Sequence, residues 1–180
     1  LSRGRKENIE IFEKYFGQIT LHQKEIFTAL NTVYHTNGAF LFLNENVVLQ
    51  KPIHIVNIGA SSNAAFNPRN LIILGKNSSA NIISSYETIA GSSFANVVSE
   101  IFLEENSNIL FHLLQNENEL SSQVNTTQLK LQKGSNAGFF TLTTGGGLVR
   151  NNLHVSLNGE NCVAHLNGLY TAKKDQHIDN

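Results

Sequence analysis

Leu103-Glu104-Glu105-Asn106-Ser107 ends one short run of β-forming residues and begins another. The phrase returns as Leu74-Gly75-Lys76-Asn77-Ser78 and as Leu131-Gln132-Lys133-Gly134-Ser135. Two further copies are Leu43-Asn44-Glu45-Asn46-Val47 and the longer Leu157-Asn158-Gly159-Glu160-Asn161-Cys162. The anchor is Asn or Gly every time, the residue types that best tolerate a left-handed backbone. Anchors fall at 46, 77, 106, 134 and 161, so the period shrinks from 31 through 29 and 28 to 27 residues. The match extends past the anchor. Three residues on stand Ala80, Ile109, Ala137 and Ala164; five on, Ile82, Phe111, Phe139 and Leu166; eight on, Ser85, Leu114, Leu142 and Leu169.

A near-constant period of this size marks a solenoid, in which each unit buries its inner face only against its neighbours. Each unit here reads strand, sharp turn, small residue, strand. The expected fold is therefore mainly β, a parallel β-helix over residues 39–180. The alternative is an antiparallel sandwich with evenly spaced turns, which would show a turn signal every ~8–12 residues. Residues 1–38 read differently. Ile9, Phe12 and Phe16 recur at helical spacing and Gly17 is a stop signal. A second stripe, Ile26, Leu30, Val33 and Tyr34, runs to the turn signal Asn37-Gly38. This N-terminal helical segment is expected to cap the solenoid, with Ile9, Phe12 and Phe16 laid across the open first coil.

Composition narrows the function. Hydrophobic residues make up 41% of 180 with two Pro, which predicts a packed core rather than disorder. The formal charge of −1 and the lack of a basic stripe argue against nucleic acid. The one basic cluster, Arg3-Gly4-Arg5-Lys6, reads as a solvated helix start. A single Cys excludes an internal disulfide and fits a reducing compartment. No apolar run approaches the ~20 residues of a membrane span, and the opening residues lack the apolar core of a signal peptide. The expectation is a cytoplasmic protein with neither membrane nor nucleic-acid partner. The absence of Met and the abrupt Gln176-His177-Ile178-Asp179-Asn180 ending read as a piece of a longer protein.

Two side chains are worth following, Cys162 and His177. Cys162 follows its anchor as Ser78, Ser107 and Ser135 follow theirs, so that column takes a small residue. A lone thiol is also far short of the ligand set of a metal centre. Of the other His residues (His22, His35, His54, His112, His154, His165) none forms a metal-spaced pair on a helix. His112 and His165 stand six and four residues beyond their anchors and should not stack. His154 and His165 would meet if adjacent strands brought them together. Gly145-Gly146-Gly147 lacks the Lys and Ser/Thr of a phosphate loop and reads as a tight corner, so ATP is not expected to bind here. No catalytic, cofactor-binding or metal residue is assigned.

The blocks Arg5–Phe16, Ala29–Thr32, Lys51–Ile55, Pro68–Ile72, Gln115–Glu117, Gly146–Asn152, Leu157–Asn161, Gly168–Tyr170 and Gln176–Asn180 resemble, in order, the SufB/SufD family of iron–sulfur cluster assembly scaffolds. Ile178 and Asn180 in the last block, which also holds His177, side with the SufD branch over the SufB branch. Ser61–Asn67 departs from the family pattern, being more apolar and shorter than the expected loop. The resemblance implies a right-handed parallel β-helix between helical parts. It implies a non-enzymatic scaffold that pairs with SufB, or with itself when alone, and works with SufC, an ABC-type ATPase. It implies an iron–sulfur cluster for the full complex and none bound by this piece. The last coils, a functionally implicated His and the helices that dock SufC would all lie beyond Asn180. Two other readings stand beside it. A polysaccharide-cleaving β-helix would need clustered carboxylates, whereas Asp175 and Asp179 are the only Asp and the twelve Glu are scattered. An adhesive β-helix is the other.

Overall fold

Every anchor of the repeat adopts the left-handed backbone that its residue type suggests. Asn46, Asn77, Asn106, Gly134 and Asn161 have φ of 63°, 55°, 58°, 69° and 58°. The Asn77 amide donates to Asn46 Oδ1 at 3.0 Å and the Asn106 amide to Asn77 Oδ1 at 3.3 Å, so the anchors form a ladder along one edge. Gly134 ends the side-chain ladder, but the backbone continues it, with Asn106 N–H donating to Lys133 O and Gly134 N–H to Glu160 O. This is a computed structural model, and it describes residues 8–20, 25–173 and 175–180. The Arg3–Lys6 cluster and His22 lie outside the described residues.

Twelve strands follow two helices among the described residues. They are β1 (Phe40–Leu43), β2 (Ile53–Gly59), β3 (Ala64–Phe66), β4 (Arg69–Leu74), β5 (Ser79–Thr88) and β6 (Ser93–Leu103). Then come β7 (Asn108–Asn116), β8 (Ser122–Leu131), β9 (Asn136–Thr143), β10 (Leu148–Leu157), β11 (Val163–Tyr170) and β12 (His177–Asp179). One sheet runs β1-β4-β6-β8-β10-β12, with β3 also paired to β6; the other runs β2-β5-β7-β9-β11. All pairs are parallel, and the result is a parallel β-solenoid of about five turns. The alternative antiparallel sandwich is excluded.

The columns read from the repeat are the observed register. Ala80, Ile109, Ala137 and Ala164 stand in line, as do Ile82, Phe111, Phe139 and Leu166. Phe111 and Phe139 stack at 5.0 Å between ring centres. Apart from Leu166, which is exposed in the last coil, the members of these two columns pack with Leu74, Ile101, Leu103, Leu129 and Leu131 of the facing sheet. Each Leu, Ile or Phe among these, once buried, stabilises the fold by roughly 1.5–3 kcal/mol before ordering costs. The column Ser85, Leu114, Leu142 and Leu169 is also in register but lies on the other face of its sheet.

The two helices differ from expectation. Helix α1 (Ile9–Tyr15) does not lie across the open first coil. It packs on the outer face of the first sheet, where Phe12 is buried against Leu71, Ile73 and Phe102, and stacks on Phe16 at 4.5 Å. The reason lies in the strands: Phe40, Phe42, Leu71, Ile73 and Phe102 make that outer face apolar over three coils. The buried stripe is Ile11, Phe12, Tyr15, Phe16 and Ile19, and Ile9 is exposed.

Helix α2 (Ile26–Tyr34) reverses the expected stripe. Ile26, Leu30, Val33 and Tyr34 are all exposed, Ile26 at 79% and Val33 at 73%, while Thr28 and Asn31 are buried. Polar backbone draws that face inward. The Asn31 amide donates to Pro68 O and Asn96 O, and Asn96 donates back to Phe27 O.

The segment that follows α1 and helix α2 meet at a buried ion pair. Arg69 Nη2 lies 2.7 Å from Glu100 Oε1, with the two side chains 1% and 0% exposed. Arg69 also donates to Thr20, Asn31 and Thr32, and Glu100 accepts from the backbone N–H of Gly17 and Ile19. Neither helix is long and apolar enough to cross a membrane, and no other helix occurs among the described residues.

Candidate functional site

Each coil turns two corners, and the candidate residues divide between them. The corner from the first sheet to the second carries the anchors and the small-residue column. Ser78, Ser107 and Ser135 each donate a hydroxyl three residues back, to Gly75 O, Glu104 O and Gln132 O, at 2.7, 2.7 and 2.6 Å. Cys162 Sγ repeats the bond to Gly159 O at 3.1 Å and also lies 3.2 Å from Gln132 O of the coil beneath. The thiol, half-buried, occupies the place of a serine hydroxyl. Cys162→Ser should therefore shift the unfolding free energy by less than about 1 kcal/mol, as urea denaturation would show. A larger loss of stability would mean that the sulfur is not equivalent to the serine hydroxyls of this column.

His177 begins β12, where it is exposed, and its N–H donates to Gly147 O at 2.9 Å. It pairs with Leu148, at the start of β10, whereas Cys162 follows the end of β10. Ten strand residues separate the two corners, about 30 Å at the usual rise. The two candidates therefore do not form a joint site. His112 stands in register with Phe140 and His165 with Gly138, so they do not stack. His154 and His165 do not approach through paired strands, because β10 and β11 belong to different sheets; His154 instead lies 2.8 Å from Glu25 Oε1. Among the described residues no group of three or more His, Cys, Asp or Glu could hold a metal ion.

The return corners, from the second sheet to the first, hold a cluster that motif reading missed. Gly145-Gly146-Gly147 is one of these corners: Gly146 N–H donates to Glu117 O at 2.7 Å and Gly147 N–H to Ser121 O at 2.8 Å. Beneath it the Glu117 side chain points inward and is 5% exposed as a residue. Thr88 Oγ1 donates to Glu117 Oε2 and lies 3.1 Å from Ser93 Oγ. Ser93 Oγ donates to Ser121 Oγ at 3.0 Å, and Ser121 Oγ lies 3.3 Å from Thr88 Oγ1. Burial raises the Glu117 carboxyl above its ordinary pKa, against those hydrogen bonds, which lower it. Burial likewise pushes the neighbouring Tyr86 hydroxyl up to about 12. Among the described residues no Lys, Arg or His forms an ion pair with Glu117. The sequence held one usable signal. Ile109, Phe111, Leu113 and Gln115 alternate inward, and two residues on the same parity reaches Glu117.

Comparison with known proteins matches both parts of the chain. Residues 56–180 match the family model described as the SUF system FeS cluster assembly SufBD core domain, and residues 1–55 match the SufBD protein N-terminal region. An iron-sulfur cluster assembly SufBD family protein of Pyrococcus horikoshii is 28% identical over 174 residues, covering 94% of this chain and 39% of the relative. One from Synechocystis is 28% identical over 158 residues, covering 82% and 35%. The iron-sulfur cluster assembly protein SufD of Bacillus subtilis is 28% identical over 125 residues, covering 67% and 28%. The chain thus spans well under half the length of these curated relatives. With a family model over most of its length and a parallel β-solenoid beneath it, this chain belongs to the SufBD family of iron–sulfur cluster assembly proteins.

Proposed function

We propose that this chain is the first part of a SufD-type scaffold subunit, which has no catalytic turnover of its own. It acts in the cytoplasm with SufB and with a SufC-type ABC ATPase, and it pairs with itself when alone. The observation that carries this reading is the unbroken match to the SufBD N-terminal region and core over residues 1–180. The relative named SufD supports that branch, as do Ile178 and Asn180. A scaffold role agrees with the wide separation of Cys162 from His177 and with several polar side chains that are committed to one another. Gln115, Thr143 and Asn151, for instance, bond one another at 2.7–3.0 Å. The cluster itself is cargo of the complex on this reading.

Co-expression tests the assignment. The full-length protein should co-purify in a stable complex with its SufB-type and SufC-type partners, and on its own should run as a dimer. Residues 1–180 alone should fail to capture SufC, because the docking helices lie beyond them. Stoichiometric capture of SufC by residues 1–180 would place the docking site within them and overturn that assignment. Failure of the full-length protein to join either partner would remove the scaffold reading.

A further inference from the structure

We propose that the outer face of the second sheet carries a binding cleft for an uncharged ring rich in hydroxyls, a pyranose sugar in chemical class. The cleft is independent of the family assignment. Four features define it.

The first is a notch. On that face Asn81, Leu110, Gly138 and His165 stand in one column, and the glycine breaks the row of side chains. Gly138 is absent from the positive-φ residues, so its backbone does not call for glycine. A Cβ there would lie 2.6 Å from Leu110 Cδ2, which leans over the gap. The result is a cleft of about 440 Å³, within the ~300–1,000 Å³ of small-molecule sites. The second is an apolar floor. Leu110 is 50% exposed, and Phe140 of the next column lines the same cleft. His112 meets the Phe140 ring at 62°, with ring centres 6.2 Å apart, and so fixes how that ring stands. An aromatic face is negative and packs well against C–H groups, such as those on one face of a pyranose.

The third is the rim. Asn81, Asn136 and Asn167 line the cleft, and their carboxamides make no hydrogen bond to protein among the described residues. Elsewhere along the solenoid such amides are committed, as at Asn70, Asn77, Asn96 and Asn106. A carboxamide both donates and accepts, as does a neutral imidazole, and a sugar hydroxyl needs both. The fourth is charge. No Lys, Arg, Asp or Glu lines the cleft. A nucleotide would bring phosphate to a site without a basic partner. A peptide that adds as a strand needs an unpaired sheet edge, whereas β7 and β9 are paired on both sides.

Saturation-transfer difference NMR on the full-length protein tests the cleft. The probes are the methyl glycosides of glucose, galactose, mannose and N-acetylglucosamine. Each is used at about 20 mM, enough to fill a site with a dissociation constant of about 1 mM. Saturation should reach the ring C–H protons of at least one of them, and raising the salt should not weaken it. Phe140→Ala and Gly138→Val should each weaken binding by about tenfold or more, with unchanged circular dichroism. Leu169→Ala, on the same face but outside the cleft, should not. Gly138→Val displaces only the far end of Leu110, so it decides the matter even if Phe140→Ala folds poorly. Cellotriose and maltotriose separate the two sources of such a ring. Tighter binding than the glucoside points to a glycan chain and equal binding to a free sugar, and either supports the class. No transfer to any of the four glycosides, transfer unchanged in both variants, or tighter binding of adenosine 5′-monophosphate in the same cleft overturns it.

Discussion

Glu100→Gln is expected to lower the unfolding free energy by about 3–5 kcal/mol, the range for removing one partner of a buried ion pair. It should release the N-terminal helices first. The variant keeps the volume of the side chain but leaves Arg69, 1% exposed, with its charge uncompensated. Thr20, Asn31 and Thr32 still accept from the guanidinium, yet all are neutral. The same carboxylate accepts the Gly17 and Ile19 backbone N–H groups, so its loss also weakens the segment that follows α1. Hydrogen exchange should show α1 and α2 losing protection while β6 to β9 keep theirs, because a solenoid coil leans only on its neighbours. Arg69→Met with Glu100→Leu should recover most of the lost stability, since apolar replacement of both partners removes the desolvation penalty. If the single variant unfolds within 1 kcal/mol of the parent in urea, the pair does not hold the helices in place.

What the sequence disclosed and what it hid follow from range. The solenoid was legible because each anchor solves a local problem. A left-handed residue at a sharp corner demands Asn or Gly whatever surrounds it, and five such residues at a steady period leave little freedom. Register then followed by counting, and the columns through Ala80 and Ile82 came out as read. The helices were another matter. An apolar stripe identifies a helix but not its partner. For α1 the partner is the outer face of a sheet, where Leu71, Ile73 and Phe102 alternate with inward Ile72, Leu74 and Leu103. A strand apolar on both faces was the missed signal. For α2 the stripe itself misled, because Asn31 found carbonyl partners 37 and 65 residues away. The Glu117 cluster was hidden for a similar reason. Thr88, Ser93, Glu117 and Ser121 become neighbours only through stacking of coils, and none sits in a recognisable motif.

Gly145→Ala is the second large effect, and its cause is steric rather than torsional. Gly146 is the corner glycine with positive φ, at 97°, whereas Gly145 is not among the positive-φ residues. A Cβ on Gly145 would lie 2.1 Å from Glu117 O and 3.1 Å from Glu117 N, both backbone atoms that cannot rotate aside. The corner must therefore lift off the coil beneath it. Lifting stretches three backbone hydrogen bonds, from Thr144 N–H to Gln115 O, Gly146 N–H to Glu117 O and Gly147 N–H to Ser121 O. Each is worth roughly 1 kcal/mol net, and overpacking adds about 1–3 kcal/mol. A loss of about 3 kcal/mol or more is expected in urea denaturation. Gly168→Ala supplies the control, since its Cβ would meet nothing nearer than 3.9 Å. The damage should be local in hydrogen exchange, strongest at the start of β10 and in the Glu117–Ser121 corner, and absent from β4 and β5. A Gly145→Ala protein as stable as Gly168→Ala would mean that these two coils are not in contact at this corner.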